Sequence, residues 1–184
     1  RIADGVAPHR ILMVAYNASA GKAIKDRVEK RIGPRAREAW IGTLHGMCWK
    51  MWREAHPGDP RGSVERVIGT DQCELPSLGR LWPILRREGI FDIDAKSVLT
   101  ISERIRESCV PITTGDQTVL LEALGHHVDG PKAISLYAKA ISLYERAKID
   151  RGLLDFTDML VNVHTGLRDD LPWASKLPNQ FSYI

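Results

Sequence analysis

The sequence predicts a helix-rich α/β fold, a parallel sheet carrying an all-helical insertion. Three observations lead there. Strand-like and helix-like segments alternate from Ile11 to Ala55, an order that implies parallel strands joined by helical crossovers. His56-Pro-Gly-Asp-Pro60 then breaks the alternation, and the chain to about residue 170 carries helical periodicity only. The tail, Phe181-Ser-Tyr-Ile184, turns strand-like again. The predicted organisation is therefore a sheet segment over 1–57, a helical insertion over 58–170, and a return to the sheet over 171–184.

Ile11–Ala15 is a continuous apolar run, the pattern of a strand buried on both faces. Asn17 to Ser19 supply turn and N-cap chemistry. A helix is predicted over Ala20–Arg31. Ala20, Ile24 and Val28 share one face, Lys22, Lys25, Arg27 and Lys30 surround it, and Gly33-Pro34 ends it. Trp40–Leu44 reads as a second strand. Gly46–Ala55 reads as a helix with Met47, Cys48, Met51, Trp52 and Ala55 in its apolar stripe. Further helices are predicted over Leu78–Glu88, interrupted near Pro83, over Ala95–Cys109, closed by Pro111, and over Gln117–Leu124. A long helix opens at Pro131, a residue well tolerated at the first helical position, and runs to Ile149 before Gly152. Asp155 caps a last helix with the stripe Phe156, Met159, Leu160, Val163 and Leu167.

With 184 residues, 43% of them apolar, the chain can bury one core, or one core and a sizeable insertion. No apolar run reaches membrane-spanning length, and the opening Arg1-Ile-Ala-Asp-Gly5 is no secretory leader. A cytoplasmic protein with no membrane partner is expected. The three cysteines, Cys48, Cys73 and Cys109, form no CxxC pair, so buried reduced thiols are expected rather than zinc or disulfides. The chain does not start with Met, which suggests an excerpt, a processed chain or a trimmed one. Net charge is +3, but residues 1–50 hold ten Lys and Arg against four Asp and Glu. That excess is either a solvated helix face or a contact for a polyanion such as nucleic acid.

The stretch ILMVAYNASAGKAI, Ile11–Ile24, carries a Gly-Lys pair after a strand. A phosphate-binding loop requires Gly, four residues, Gly-Lys, then Ser or Thr, so that backbone N–H groups wrap the phosphates and a hydroxyl holds magnesium. Here the first glycine position is Tyr16 and the hydroxyl position is Ala23. The spacing excludes a working phosphate loop.

Four segments, in order, resemble the UvrD/Rep-like superfamily 1 DNA helicases. Val14-Ala-Tyr-Asn-Ala-Ser-Ala-Gly-Lys-Ala-Ile-Lys-Asp-Arg-Val28 resembles the family's Thr-Phe-Thr-Asn-Lys-Ala-Ala motif and the charged helix after it. Gly42-Thr-Leu-His-Gly-Met-Cys48 resembles Gly-Thr-Phe-His-Ser-Phe-Cys. Leu154-Asp-Phe-Thr-Asp-Met-Leu160, after the long helix, resembles the Asp-Phe-Asp-Asp-Leu-Leu segment. Phe181-Ser-Tyr-Ile184 is similar to the strand that leads into the family's magnesium-binding Asp-Glu pair. The resemblance covers nearly the whole chain. It implies a partial RecA-like sheet, the first ATPase subdomain, with its helical 1B insertion.

The resemblance also implies a role for the Gly-Lys stretch: in the family this strand, loop and helix contact single-stranded DNA and do not hold ATP. Tyr16 matches an aromatic that lies against a base. Asn17, Ala18 and Ser19 occupy the polar loop that meets phosphate or sugar, and Lys22 and Lys25 add charge. Thr43 and His45 match residues that hydrogen-bond the DNA backbone. The family's Asn-Lys pair is Ala18-Ser19 here, which removes a lysine contact. Leu44, Gly46 and Thr157 are further departures. Taken as residue types alone, Tyr16 reads equally as a strand-end core aromatic and His45 as a structural hydrogen-bonder. Trp49 and Trp52 read as packing residues and His126-His127 as a solvated turn. Asp155 and Asp158 read as a helix cap rather than as catalytic carboxylates or metal ligands.

The implied parent is an ATP-dependent DNA helicase or translocase acting in repair or replication. It uses ATP and Mg2+, and its partners are single-stranded DNA or a single/double-strand junction together with the remaining helicase domains. This chain carries neither Walker motif, so no catalytic, cofactor or metal residue is expected in it, and on its own it is expected neither to hydrolyse ATP nor to unwind DNA. The alternative is a stand-alone, non-catalytic module that binds nucleic acid or protein.

Overall fold

The computed structural model describes residues 5–70, 77–108 and 117–184. Two compact units emerge: residues 1–57 with 162–184, and residues 58–161. The helix-rich α/β character read from the sequence is present. Cys73, Cys109, Pro111 and the opening Arg1–Asp4 lie outside the described residues.

In the first unit, β1 (Leu12–Ala15) and β2 (Trp40–Thr43) pair in parallel, from Leu12↔Trp40 to Ala15↔Thr43. On the other side of β1 the tail returns. Ile11 bridges Tyr183 in parallel, and the Leu12 N–H donates to the Tyr183 carbonyl at 2.9 Å. Helix α1 (Ala18–Ile32) is the crossover between the strands, and α2 (Leu44–Ala55) follows β2. The basic residues along α1 keep it solvated. Ile24 and Val28 face inward, and Gly33 at φ +70° ends the helix in a conformation that favours glycine. Leu12, Trp40 and Phe181 form a small core with Met47 and Met51 of α2, and the Trp40 and Phe181 rings meet edge to face at 5.1 Å.

β1 is less buried than its apolar run predicts. Val14 is 43% exposed, and an open apolar groove of about 590 Å³ lies between β1 and α1, lined by Met13, Val14, Ile24, Val28, Tyr183 and Ile184. A sheet this narrow gives its flanking helices too little surface to close over both faces.

In the second unit, α3 (Ser77–Arg87) keeps Pro83 inside it, and α4 (Ala95–Glu107) starts at Asp94, whose carboxylate accepts from the Ser97 N–H at 2.9 Å. α5 (Gln117–Gly125) and α6 (Pro131–Arg151) follow, with Gly152 in the left-handed region ending α6. Leu81, Leu85, Ile105, Leu120, Leu124 and Ile141 pack the centre. α7 (Phe156–Arg168) departs from its predicted stripe. Met159 and Val163 are buried, yet Phe156 and Leu167 are 45% and 44% exposed. The end of α7 and a short α8 (Leu177–Gln180), which precedes the tail, belong to the first unit.

The departure in α7 has an electrostatic cause. Asp155 and Asp158 cap each other's backbone, Asp155 N–H to Asp158 Oδ2 at 2.8 Å and Asp158 N–H to Asp155 Oδ1 at 2.9 Å. Both carboxylates also turn inward onto two buried cations. Lys148 Nζ lies 2.8 Å from Asp155, 3.0 Å from Asp158 and 3.0 Å from Glu145. Arg106 donates to Asp155 at 2.8 and 3.1 Å and to Asp158, and Tyr144 donates to Asp155 at 3.2 Å. Turning the two acids inward turns Phe156 outward, against Gly69. The sequence reading of a cap is correct but incomplete: the cap is one corner of a buried ionic cluster joining α4, α6 and α7.

Three carboxylates face two cations here, so one negative charge is in excess. Burial, reinforced by the charge of Asp155, pushes the Asp158 carboxyl up to about 6. Burial acts upward on Asp155 too, but Lys148 and Arg106 outweigh it and hold that carboxyl below its ordinary range. The two groups act on stability with opposite signs. The Asp158 contribution is full below the unfolded value of 3.8 and is lost as pH rises to about 6, whereas the Asp155 contribution is present above 3.8 and is lost as pH falls through it.

Two predictions follow from these contacts. A Cβ built on Gly166 stands 2.4 Å from the rigid Trp173 ring and 3.0 Å from the Ala174 Cβ, so the ring must shift as a whole, whereas one on Gly42 meets only the flexible end of Met47 at 2.5 Å. Gly166→Ala is therefore expected to lower stability by about 1–3 kcal/mol and Gly42→Ala by much less, read as thermal midpoints. In urea titrations across pH, the wild-type midpoint is expected to decline between about pH 4 and 6. Asp158→Asn, which removes the titrating group, is expected to flatten that limb, and an unchanged decline would count against the assignment.

Candidate nucleic-acid interface

Parallel strands place their carboxyl ends at one edge, where open α/β sheets bind ligands. Ala15 and Thr43 are register partners at that edge. The chain leaves β1 through only two residues, Tyr16 and Asn17, before α1 begins. Gly21 and Lys22 therefore stand inside α1. Gly21 is buried, and a Cβ on it would lie 3.4 Å from the Gly42 backbone. It packs against β2 from within the helix, and it wraps no phosphate.

Tyr16 is 100% exposed, so the core-aromatic reading of this residue fails. Asn17, in extended backbone, caps α1 by accepting from the Ala20 N–H at 2.8 Å. The Gly21 N–H takes the Asn17 carbonyl at 3.0 Å. Ala18 and Ser19, both exposed, hold the N–H groups that precede the first helical bond, where the helix dipole favours an anion. Lys22 and Lys25 are exposed one helical turn apart. Thr43 caps α2, its hydroxyl oxygen accepting from the Gly46 N–H at 3.2 Å, so the hydroxyl hydrogen is left to donate. His45 sits half-buried in the first turn of α2.

Two helix N-termini thus open at one sheet edge beside a solvent-facing aromatic ring. The sequence reading started α2 at Gly46 and missed the cap at Thr43. A Thr directly before a helical stripe is the signal that marks it. Trp52 is buried and stacks on His56 at 4.7 Å, as a packing residue should. His126 and His127 are exposed in the turn after α5. Among the described residues, no group of three or more His, Cys, Asp or Glu is arranged to hold a metal, and no helix is long and apolar enough to cross a membrane. Cys48 is buried, which pushes its thiol up and keeps it protonated.

Comparison with known proteins decides the family. The model of the UvrD/REP helicase N-terminal domain matches residues 2–184. The chain belongs to the UvrD/REP helicase family. It is 33% identical, over 97% of its length, to the ATP-dependent DNA helicase PcrA of Staphylococcus aureus, of which it spans 23%. It is also 42% identical over 48 residues to the PcrA helicase of Bacillus subtilis, a match covering 26% of this chain and 6% of that protein. In this UvrD/REP domain, the four segments that carry the resemblance fall on the β1–α1 junction, the β2–α2 junction, the start of α7 and the returning tail.

Proposed function

We propose that this chain is the part of an ATP-dependent DNA helicase or translocase that grips single-stranded DNA at the carboxyl edge of its sheet. The observation that carries the reading is the wholly exposed Tyr16 between β1 and the capped start of α1, in a chain of this family. Residues 1–57 and 171–184 are read as the first RecA-like subdomain, and 58–170 as its 1B insertion. The Tyr16 ring lies against a base. The Ala18 and Ser19 N–H groups and the α1 dipole meet a phosphate, Thr43 and His45 donate to the sugar-phosphate backbone, and Lys22 and Lys25 supply long-range attraction. Single strands or strand junctions are the substrate. ATP and Mg2+ serve the parent protein and drive its cycle of gripping and release, and the other helicase domains are its partners.

Fluorescence anisotropy with a labelled oligothymidylate tests the grip. Base stacking contributes about 1–3 kcal/mol, so Tyr16→Ala is expected to weaken binding roughly 5- to 150-fold, and the affinity is expected to fall steeply with salt. No detectable binding at low salt, or an unchanged affinity on losing Tyr16, would refute the reading. The purified chain is also expected to release no phosphate from ATP with or without DNA, because it has no phosphate loop. Turnover that survives removal of contaminating ATPases would contradict this.

A further inference from the structure

The residues already assigned end at the first turn of α2, but the chemistry does not. α2 has three differently occupied sides. Cys48 and Trp52 are buried against the protein. Lys50 turns to the sheet, its ammonium 3.8 Å from the centre of the Trp40 ring. On the remaining flank stand His45, Trp49 and Arg53, spaced by four residues and so stacked turn above turn. Arg53 is exposed and its guanidinium lies over the half-buried Trp49 ring at 4.7 Å. The Trp49 indole N–H is enclosed and has no acceptor. A donor left unmade in this way is costly, so the ring holds an unused hydrogen bond.

This flank begins where the edge described above ends. Ala15 and Thr43 are register partners, so the residues after them, Tyr16 and Leu44, leave the sheet side by side, and His45 comes next. From His45 to Arg53 the flank runs about 12 Å along the helix, enough to meet more than one nucleotide. Aromatic rings interleaved with cations are what a single strand uses: bases stack on the rings and phosphates follow the charges.

We propose that the bound strand continues from Tyr16 along α2, with a base against Trp49 and its phosphates beside His45 and Arg53. The occupant is single-stranded nucleic acid. The local excess of basic residues complements its charge, and the flank is continuous with the edge at Tyr16. The inference rests on the reading of that edge as a nucleic-acid contact. On strand binding the Arg53 guanidinium exchanges its position over the ring for a phosphate, and a small rotation of the indole offers its N–H to the same backbone.

Binding of the 184-residue chain to oligothymidylates of about four and about ten nucleotides tests this, with Arg53→Gln as a surface change and Trp49→Ala as a deletion of the ring. Circular dichroism melting checks that each variant is folded. Arg53→Gln is expected to weaken binding of the longer oligonucleotide several-fold and to flatten the log–log salt dependence by about 0.7, the loss of one phosphate contact. Trp49→Ala is expected to weaken the longer oligonucleotide roughly 5- to 150-fold while leaving the shorter one, held at Tyr16, nearly unchanged. If Arg53→Gln leaves affinity and salt slope as in the wild type while Tyr16→Ala still weakens binding, the path along α2 is wrong and the grip at Tyr16 stands. If none of the three substitutions weakens binding, both fail.

Discussion

Helix α1 rests on β2 where two glycines, Gly21 and Gly42, meet. A Cβ on Gly21 would lie 3.4 Å from the Gly42 Cα and 3.7 Å from the Ala15 Cβ, already in van der Waals contact, so a side chain longer than alanine's would press the helix away from the strand. That approach sets the rest of the first unit. The helix begins almost as soon as β1 ends, with just Tyr16 and Asn17 between them. Asn17 is then used as the cap, and Tyr16 has no apolar surface to cover it.

The second unit is organised by a different force. Its centre is apolar, but the start of α7 is fixed by charge: Arg106 and Lys148 reach from α4 and α6 to the same pair of carboxylates. Such a cluster adds little net stability over a well-packed apolar substitute, because desolvating five charges offsets most of their attraction. What it supplies is direction. Apolar packing alone would accept α7 with Phe156 inward, as its periodicity suggests, whereas the ion pairs permit only the rotation that places Asp155 and Asp158 inside. Removing either cation, Arg106 or Lys148, would strand buried carboxylates, at a cost of about 3–5 kcal/mol.

Sequence and structure agree where local chemistry decides. The strand run, the Asn17 cap, the Gly33 and Gly152 stops, the apolar stripe of α2 and the helices α4 and α6 are all encoded within a few residues, and each appears near its expected place. The exposure of Val14 depends on how much sheet stands beside it, which no short window contains. The cluster links Arg106 to Asp155 across 49 positions, and nothing about an arginine in a helical pattern distinguishes a buried one from a solvated one. At the candidate interface, the family resemblance, not residue type, placed Tyr16, Thr43 and His45 as candidates. Their common edge came only from the β1–β2 register, because alignment of strand ends is a property of pairing.

The Gly-Lys stretch shows how little separates two uses of one scaffold. A strand, a turn and a helix N-terminus attract an anion whatever the anion is, since the free N–H groups and the dipole come with the backbone. A nucleotide phosphate needs a glycine-rich loop long enough to surround it. Here the loop is two residues long and the glycine has moved into the helix, where it serves packing, so a phosphate can be approached from one side only. A one-sided contact suits a polymer, whose phosphates are presented in a row and whose next nucleotide can be held elsewhere. Under the proposed reading, the exposed tyrosine standing where a phosphate loop would have its first glycine would add a contact that a base can make and a free phosphate cannot.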